Sequence, residues 1–386
     1  MPAWTFLVAI AGVIAFGAIY YLGLRSRHIH LWLPHYLARR RRLARQEVPT
    51  PRHVMFCFVD HYEPLVGQAD VDAGLERVRR WRRLYPPIAD RHVDAEGRHL
   101  RHSFFYPEEE YREVLMDELA ALCRQGYGEV EIHLHHDNDT EQDFVRRMRD
   151  FIAVLADRYG MLPRRDDKPC FAFIHGNWAL DNSRRDGRWC GLNNEITLLR
   201  DLGCYADFTM PSATSETQAR MANEIYYATD DPQRPKSYDT GEPVRRGGSA
   251  SGDLLMIAGP LALNWKHRKL GIWPRVEDAD VTPTDIPLEE RVDLWVEQAI
   301  QVEGRPDWLF VKVHTHGAHE VNSEFLFEGG ALERLCSHLE RRYNDGDRYR
   351  LHYVTARETY NIIKAAEAGM DGDPGQYRDY ELAPPF

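Results

Sequence analysis

The chain has 386 residues, 43% hydrophobic and 28% charged, ordinary for a globular protein that buries a large core. A net charge of −11, with no basic stripe in the body, argues against a nucleic-acid-binding function. The six cysteines have no CxxC or compact zinc-finger spacing, so nothing demands an oxidising compartment.

Thr5 to Leu24 carries no charge and is long enough to cross a hydrocarbon core as a helix, with Trp4 and Tyr20-Tyr21 as interfacial aromatics. It lacks the basic start and small-residue cleavage site of a signal peptide, so residues 1–25 read as a retained anchor. Arg25, Arg27, Arg39 to Arg42 and Arg45 all follow the span. The positive-inside rule then places the body on the cytoplasmic side of a bacterial inner membrane, with a periplasmic body as the alternative. Leu31-Trp32-Leu33 and Tyr36-Leu37 within the basic segment 26–50 suggest a short interfacial stretch.

From residue 51 strand-like and helix-like patterns alternate. Val54 to Val59 is an apolar strand ending in Asp60-His61-Tyr62-Glu63, and Val71 to Leu84 a helix before a more polar passage to Pro107. Glu109 to Gln125 reads as a helix stopped near Gly126. The apolar run after it ends in Glu131-Ile132-His133-Leu134-His135-His136-Asp137-Asn138-Asp139. Thr140 caps a helix running to Tyr159, and Cys170 to Ile174 is a strand ending in His175-Gly176-Asn177-Trp178. A helix over Asn193 to Leu202 leads into Cys204 to Met210, while residues 211–250 and 264–288 read as irregular. Further helices are expected over Leu288–Val302, Gly330–Arg342 and Ala356–Ala368. Strands are expected over Trp308–Val313, ending in His314-Thr315-His316, and Tyr349–Val354, with an irregular tail at 369–386.

Alternation of roughly six to seven strands with helices implies an α/β fold with a parallel sheet or a β/α barrel. Functional groups gather at the carboxyl ends of such strands, so four polar clusters at four strand ends imply one shared pocket. Period-2 alternation puts His133 and His135 on one face, with Asp137 and Asp139 following if the extension persists, which is a metal-site pattern. His136 points to the other face.

The order of these strand ends resembles the NodB-type polysaccharide deacetylases. The resemblance covers about residues 50 to 365. It implies a distorted (β/α)7-type barrel over 51–368, a divalent metal and a carbohydrate groove. Asp60 sits where the family has its aspartate motif, Glu131-Ile132-His133-Leu134-His135 resembles Glu-Ile-Gly-x-His, and His314 matches the final histidine, the general acid. Cys204 to Ser212 resembles the strand before the substrate-contacting loop. The sequence departs from the family at Val59 and His61 beside Asp60, at Asp139 in place of a second histidine, and at His175-Gly176-Asn177-Trp178 in place of Arg-x-Pro.

The resemblance implies a metal-dependent carbohydrate deacetylase, a hydrolase removing N- or O-acetyl groups from a saccharide or lipid-linked glycoconjugate, working with polysaccharide-biosynthesis proteins. The metal ligands expected are drawn from Asp60, His133, His135 and Asp139. Zinc is the expected ion, with cobalt or nickel as alternatives. Asp60 or Glu63 is the expected base, His314 or His316 the acid, and His175, Asn177 and Trp178 the substrate contacts, with Trp189 and Trp265 able to stack on sugars. The alternatives are a glycoside hydrolase, which needs two flanking carboxylates, and a non-catalytic saccharide-binding subunit of a synthesis or export machine.

Overall fold

The computed structural model describes residues 3–386. Met1 and Pro2, the start of the expected anchor, lie outside the described residues. Helix α1 (Ala3–Ser26) exposes Phe6, Leu7, Val13 and Ile14, and among its described side chains none is fully buried. Its last turns meet the body where Tyr20 stacks on Trp273, with ring centroids 4.4 Å apart. Gly23 makes that approach possible, because a Cβ there would stand 2.4 Å from the Trp273 ring.

His28, in the left-handed region, turns the chain into α2 (Ile29–Leu43). The interfacial expectation for this segment is corrected. Ile29, Trp32 and Tyr36 are buried against Leu261, Leu263 and Val276 of the body, a stable home for three large apolar side chains at helical spacing. Arg39 is buried with them, donating to the carbonyls of Gln298 and Ala299 and pairing with Glu224.

The body is mixed α/β around a mostly parallel sheet. Its strands are β1 (Arg52–His61), β2 (His102–Pro107), β3 (Gly128–Leu134), β4 (Phe171–His175), β5 (Cys204–Asp207), β6 (Ile225–Ala228) and β7 (Leu254–Ile257). After a hairpin of β8 (Ala262–Lys269) and β9 (Trp273–Glu277) come β10 (Trp308–Thr315) and β11 (Tyr349–Val354). Hydrogen bonding runs β10-β1-β2-β3-β4-β5-β7-β6, and β11 pairs with the first half of β1. All these pairs are parallel except β6 with β7. Among the described residues no strand pair closes the sheet into a ring; from β10, at one edge, the Lys312 side chain donates to the carbonyls of Phe208 and Met210 just after β5.

Side-chain alternation sorts the two faces. Phe56, Phe58, Ile132, Leu134, Phe173, Val311 and Val313 pack under α3 (Val71–Ala89), α4 (Glu113–Leu122) and α5 (Glu141–Ala153). Cys57, Val59, Phe105, Ile174 and Phe310 face an inner core. The remaining helices are α6 (Glu195–Asp201), α7 (Glu289–Glu297), α8 (Glu320–Leu326), α9 (Ala331–Tyr343) and α10 (Ala356–Glu367); α10 contributes Ile362, Ile363, Ala365 and Ala366 to that inner core. The stretches read as irregular conceal β6, β9 and most of β8, because these strands are short or exposed and carry little alternation; β7 lies between the two stretches. The tail contains no helix or strand beyond one 3-10 turn, yet Leu382 and Arg378 are buried.

On its inner face β3 carries Glu129, Glu131 and His133 in ascending order. Glu129 is ion-paired with Arg101 and Arg357. Glu131 accepts from the Ala172 N–H and the Tyr205 hydroxyl, and burial pushes its carboxyl up to about 8. A carboxyl whose pKa is raised by folding stabilises the fold below its unfolded pKa and loses that contribution as pH rises through about 8. Glu131→Gln cannot ionise, and its amide oxygen accepts from the Ala172 N–H while its NH2 donates to the Tyr205 oxygen. Its unfolding free energy should match wild type near pH 4 and exceed it near pH 8 by about 3–5 kcal/mol, because the linkage accrues between the unfolded and folded values; equal stabilities at both pH values would show that Glu131 does not titrate in this range.

Candidate metal centre

The carboxyl ends of β1, β3 and β10 meet around Glu63. Period-2 alternation places His61 on the inner face with Val59, and the chain then turns so that Tyr62 enters the helix-side core and Glu63 returns to the site. His133 and His135, expected on one face of β3, are there together. Their Nε2 atoms lie 3.4 and 3.3 Å from the same Glu63 oxygen, Oε1. The other Glu63 oxygen accepts from His319 Nε2 at 3.0 Å. His61 stacks loosely between His133 and His316, with centroids 5.0 and 4.7 Å away.

The remaining ring nitrogens define what this convergence means. His133 Nδ1 donates to the Ile174 carbonyl at 2.8 Å, and His135 Nδ1 faces Glu109 Oε1 at 2.5 Å. The two Nε2 atoms and Glu63 Oε1 therefore converge on one point, an arrangement that either a proton on Nε2 or a shared cation satisfies. Histidines oriented through Nδ1 by a carbonyl or carboxylate are the usual support for a metal ligand. Glu63, His133 and His135 are one of the groups among the described residues whose donor atoms lie close enough to share an ion. His133 is fully buried, while His135 and His319 are partly open to solvent, which leaves one side of the centre accessible.

Burial alone would raise the Glu63 carboxyl, but the hydrogen bonds from His133 and His319 hold it well below the usual range. Burial also lowers His61 and His316, helped at His61 by the neighbouring imidazoles, so both are neutral at neutral pH. His135 goes the other way: burial opposes protonation, and the Glu109 carboxylate outweighs it.

Several expected site residues stand elsewhere. Asp60 is on the helix-facing side of β1, where Oδ1 accepts from the Gly317 N–H and Oδ2 from His102 Nε2. One oxygen holds the turn after His316 and the other holds His102 of β2, so Asp60 is neither ligand nor base in this arrangement. Asp139 is likewise not with His133 and His135. Strand β3 ends at Leu134 and Asn138 turns left-handed, so Asp139 pairs with His136 and Arg147 instead. His175 points to the helix side of β4 and contacts His136, at a centroid distance of 4.6 Å. His314 is one layer back: its ring is 6.0 Å from His61, and Nε2 lies 3.8 Å from Asp280 Oδ1. Asn177 is exposed and Trp178 half-buried in the loop directly after β4.

Sequence reasoning missed Glu109, His319 and the site role of His61. The His316-x-x-His319 spacing was the available signal, since a turn closed by the His319 N–H on the His316 carbonyl brings the two imidazoles together, with ring centroids 5.2 Å apart. Glu109 lies within a run of three glutamates, and nothing local distinguishes it from its neighbours. No family model matches the chain, and no curated protein matches it.

Proposed function

We propose that this protein is a membrane-anchored, metal-dependent hydrolase that removes an acyl group, acetyl above all, from a saccharide or glycoconjugate. The observation that carries the reading is the aim of His133 Nε2, His135 Nε2 and Glu63 Oε1 at one point, each imidazole fixed from behind. A borderline divalent ion such as zinc held there lowers the pKa of a bound water and polarises an acyl carbonyl. His316, neutral and beside the centre, takes a proton from the attacking water and passes it to the leaving nitrogen or oxygen as the acyl bond breaks. His61 and His319 pack against His316 and limit its rotation.

The glycosidase alternative is less well supported. The two carboxylates at the centre, Glu63 and Glu109, contact the same imidazole, and both are held below the usual carboxylate range against the effect of burial. Neither is the protonated acid that glycosidic cleavage needs. Relative to the deacetylase resemblance, the proposal keeps His135 and the barrel-like strand order and moves the carboxylate from Asp60 to Glu63.

A cavity of about 740 Å³ supports a lipid-linked substrate. It is lined by Arg27, directly after the apolar helix, by Lys266, Arg268, Lys269 and Arg275, and by Asp278, Asp285 and Asp280, the last a neighbour of His314. The five cations suit a phosphate-bearing headgroup. Leu270, Ile272 and Trp265 are exposed on the same hairpin, with Leu270 at 90%. An apolar tip flanked by lysine and arginine beside a spanning helix is the pattern of a segment resting in a lipid interface.

Acetate release tests the reading, using full-length protein in detergent with N-acetylglucosaminyl polyprenyl diphosphate and with N-acetylchitotetraose as probes. Chelation should abolish release and zinc restore it, with the lipid-linked probe the better substrate. Glycosidic cleavage indifferent to chelator would favour the glycosidase. Metal bound without turnover of either probe would favour a saccharide-binding subunit.

A further inference from the structure

A second set of donors lies on the other side of the same sheet ends. His136, just past β3, places Nε2 3.2 Å from Glu195 Oε1, and His175, at the end of β4, places Nε2 3.5 Å from the same oxygen. Cys190 Sγ is 3.3 Å from Glu195 Oε2. All four side chains are buried, and their donor atoms lie within 4.8 Å of one another. Zinc bonds of about 2.0–2.3 Å in a tetrahedron set ligand atoms roughly 3.3–3.8 Å apart, close to the separations seen.

Three details favour a cation over a hydrogen-bonded cluster. His175 Nδ1 donates to the Gly176 carbonyl, so its buried Nε2 is a lone pair without a hydrogen-bond partner, aimed at a carboxylate. Cys190 Sγ accepts the backbone N–H groups of Asn182 and Leu192 and donates to Glu195, the bond that a zinc ion between sulfur and carboxylate would replace. His136 Nδ1 lies 3.3 Å from Asp139 Oδ2, which places a carboxylate behind the imidazole on the side away from Glu195.

We infer that His136, His175, Cys190 and Glu195 form a closed structural zinc site that fastens the 176–194 loop to the ends of β3 and β4. The loop has reason to be fastened. Asn177, Trp178, Asp181, Asn182 and Trp189 all adopt positive φ, a costly conformation for side-chain-bearing residues. Gly191, at φ 107°, brings the loop so close that a Cβ would lie 2.9 Å from the Asn138 backbone. There the Asp139 N–H donates to the Cys190 carbonyl, and the Trp189 N–H to Asp137. The site therefore sets the turn that follows His135, and it is independent of whether the Glu63 centre catalyses anything.

Cobalt(II) distinguishes the two centres, because only this one contains sulfur. Full-length protein in detergent, loaded with cobalt, should show an intense thiolate-to-cobalt charge-transfer band. Cys190→Ser should lose the band while His133→Ala, at the other centre, keeps it. X-ray absorption at the zinc edge of the wild-type protein requires no variant and should find a sulfur scatterer at about 2.3 Å. No charge-transfer band in folded wild type, a band that survives Cys190→Ser, or a zinc shell of nitrogen and oxygen alone would each overturn the assignment.

Discussion

His133→Ala should strip the Glu63 centre of its metal, weakening affinity by more than about 100-fold, the upper range for losing only a supporting residue. Acyl hydrolysis should fall with it. The variant removes a buried donor whose orientation is fixed by Ile174, and no other side chain on β3 can take its direction. Glu109→Gln is the graded partner of this experiment. It leaves His135 in place but replaces the carboxylate behind Nδ1 with an amide, and should weaken metal binding about 10- to 100-fold. Isothermal titration with zinc on both proteins, after full-length protein has been chelated, reads the two effects. If His133→Ala binds zinc at wild-type affinity in every site, the centre is not built on that histidine and the hydrolase reading falls. A Glu109 effect as large as the His133 effect would mean instead that Glu109 is itself a ligand.

The same comparison shows which kind of information the sequence held. Alternation along β3 was enough to pair His133 with His135 and to send His136 to the other side, because a continuous apolar strand fixes side-chain parity. Where the strand stops, parity stops with it. Asp139 was expected to continue the extended run, but the left-handed Asn138 redirects it to His136. At β1 the motif pointed to Asp60, whereas counting from the buried phenylalanines gives Asp60 the same face as Phe56 and Phe58, away from the site. The parity was available there, and the motif overrode it. Cys190 and Glu195 belong to a third case. Fourteen or more residues of loop separate them from the strand that carries His175, and only tertiary folding brings them within reach.

Glu129→Leu is expected to cost about 3–5 kcal/mol of stability, as removal of one partner from a buried ion-pair network does. Burial disfavours the Glu129 carboxylate, and Arg357 and Arg101 more than offset that by pairing with it. Leucine fills the space but leaves both guanidinium groups buried beside each other with less negative charge than they had. The consequence spreads through Arg357, which also donates to the carbonyls of Arg378 and Leu382 and pairs with Asp379. Arg378 in turn pairs with Asp94 and Glu358. The tail is thus irregular in conformation yet held by charge-assisted bonds to the foot of β3 and the first turn of α10. Urea unfolding of the full-length protein should show the large loss, and limited proteolysis should show the 369–386 segment cleaved first in the variant. A loss below about 1 kcal/mol would mean that water or local rearrangement compensates the arginines. Because Glu129 lies on the same face of β3 as His133, a folded variant at reduced temperature should still bind metal at the Glu63 centre, separating the strand's foundation from its chemistry.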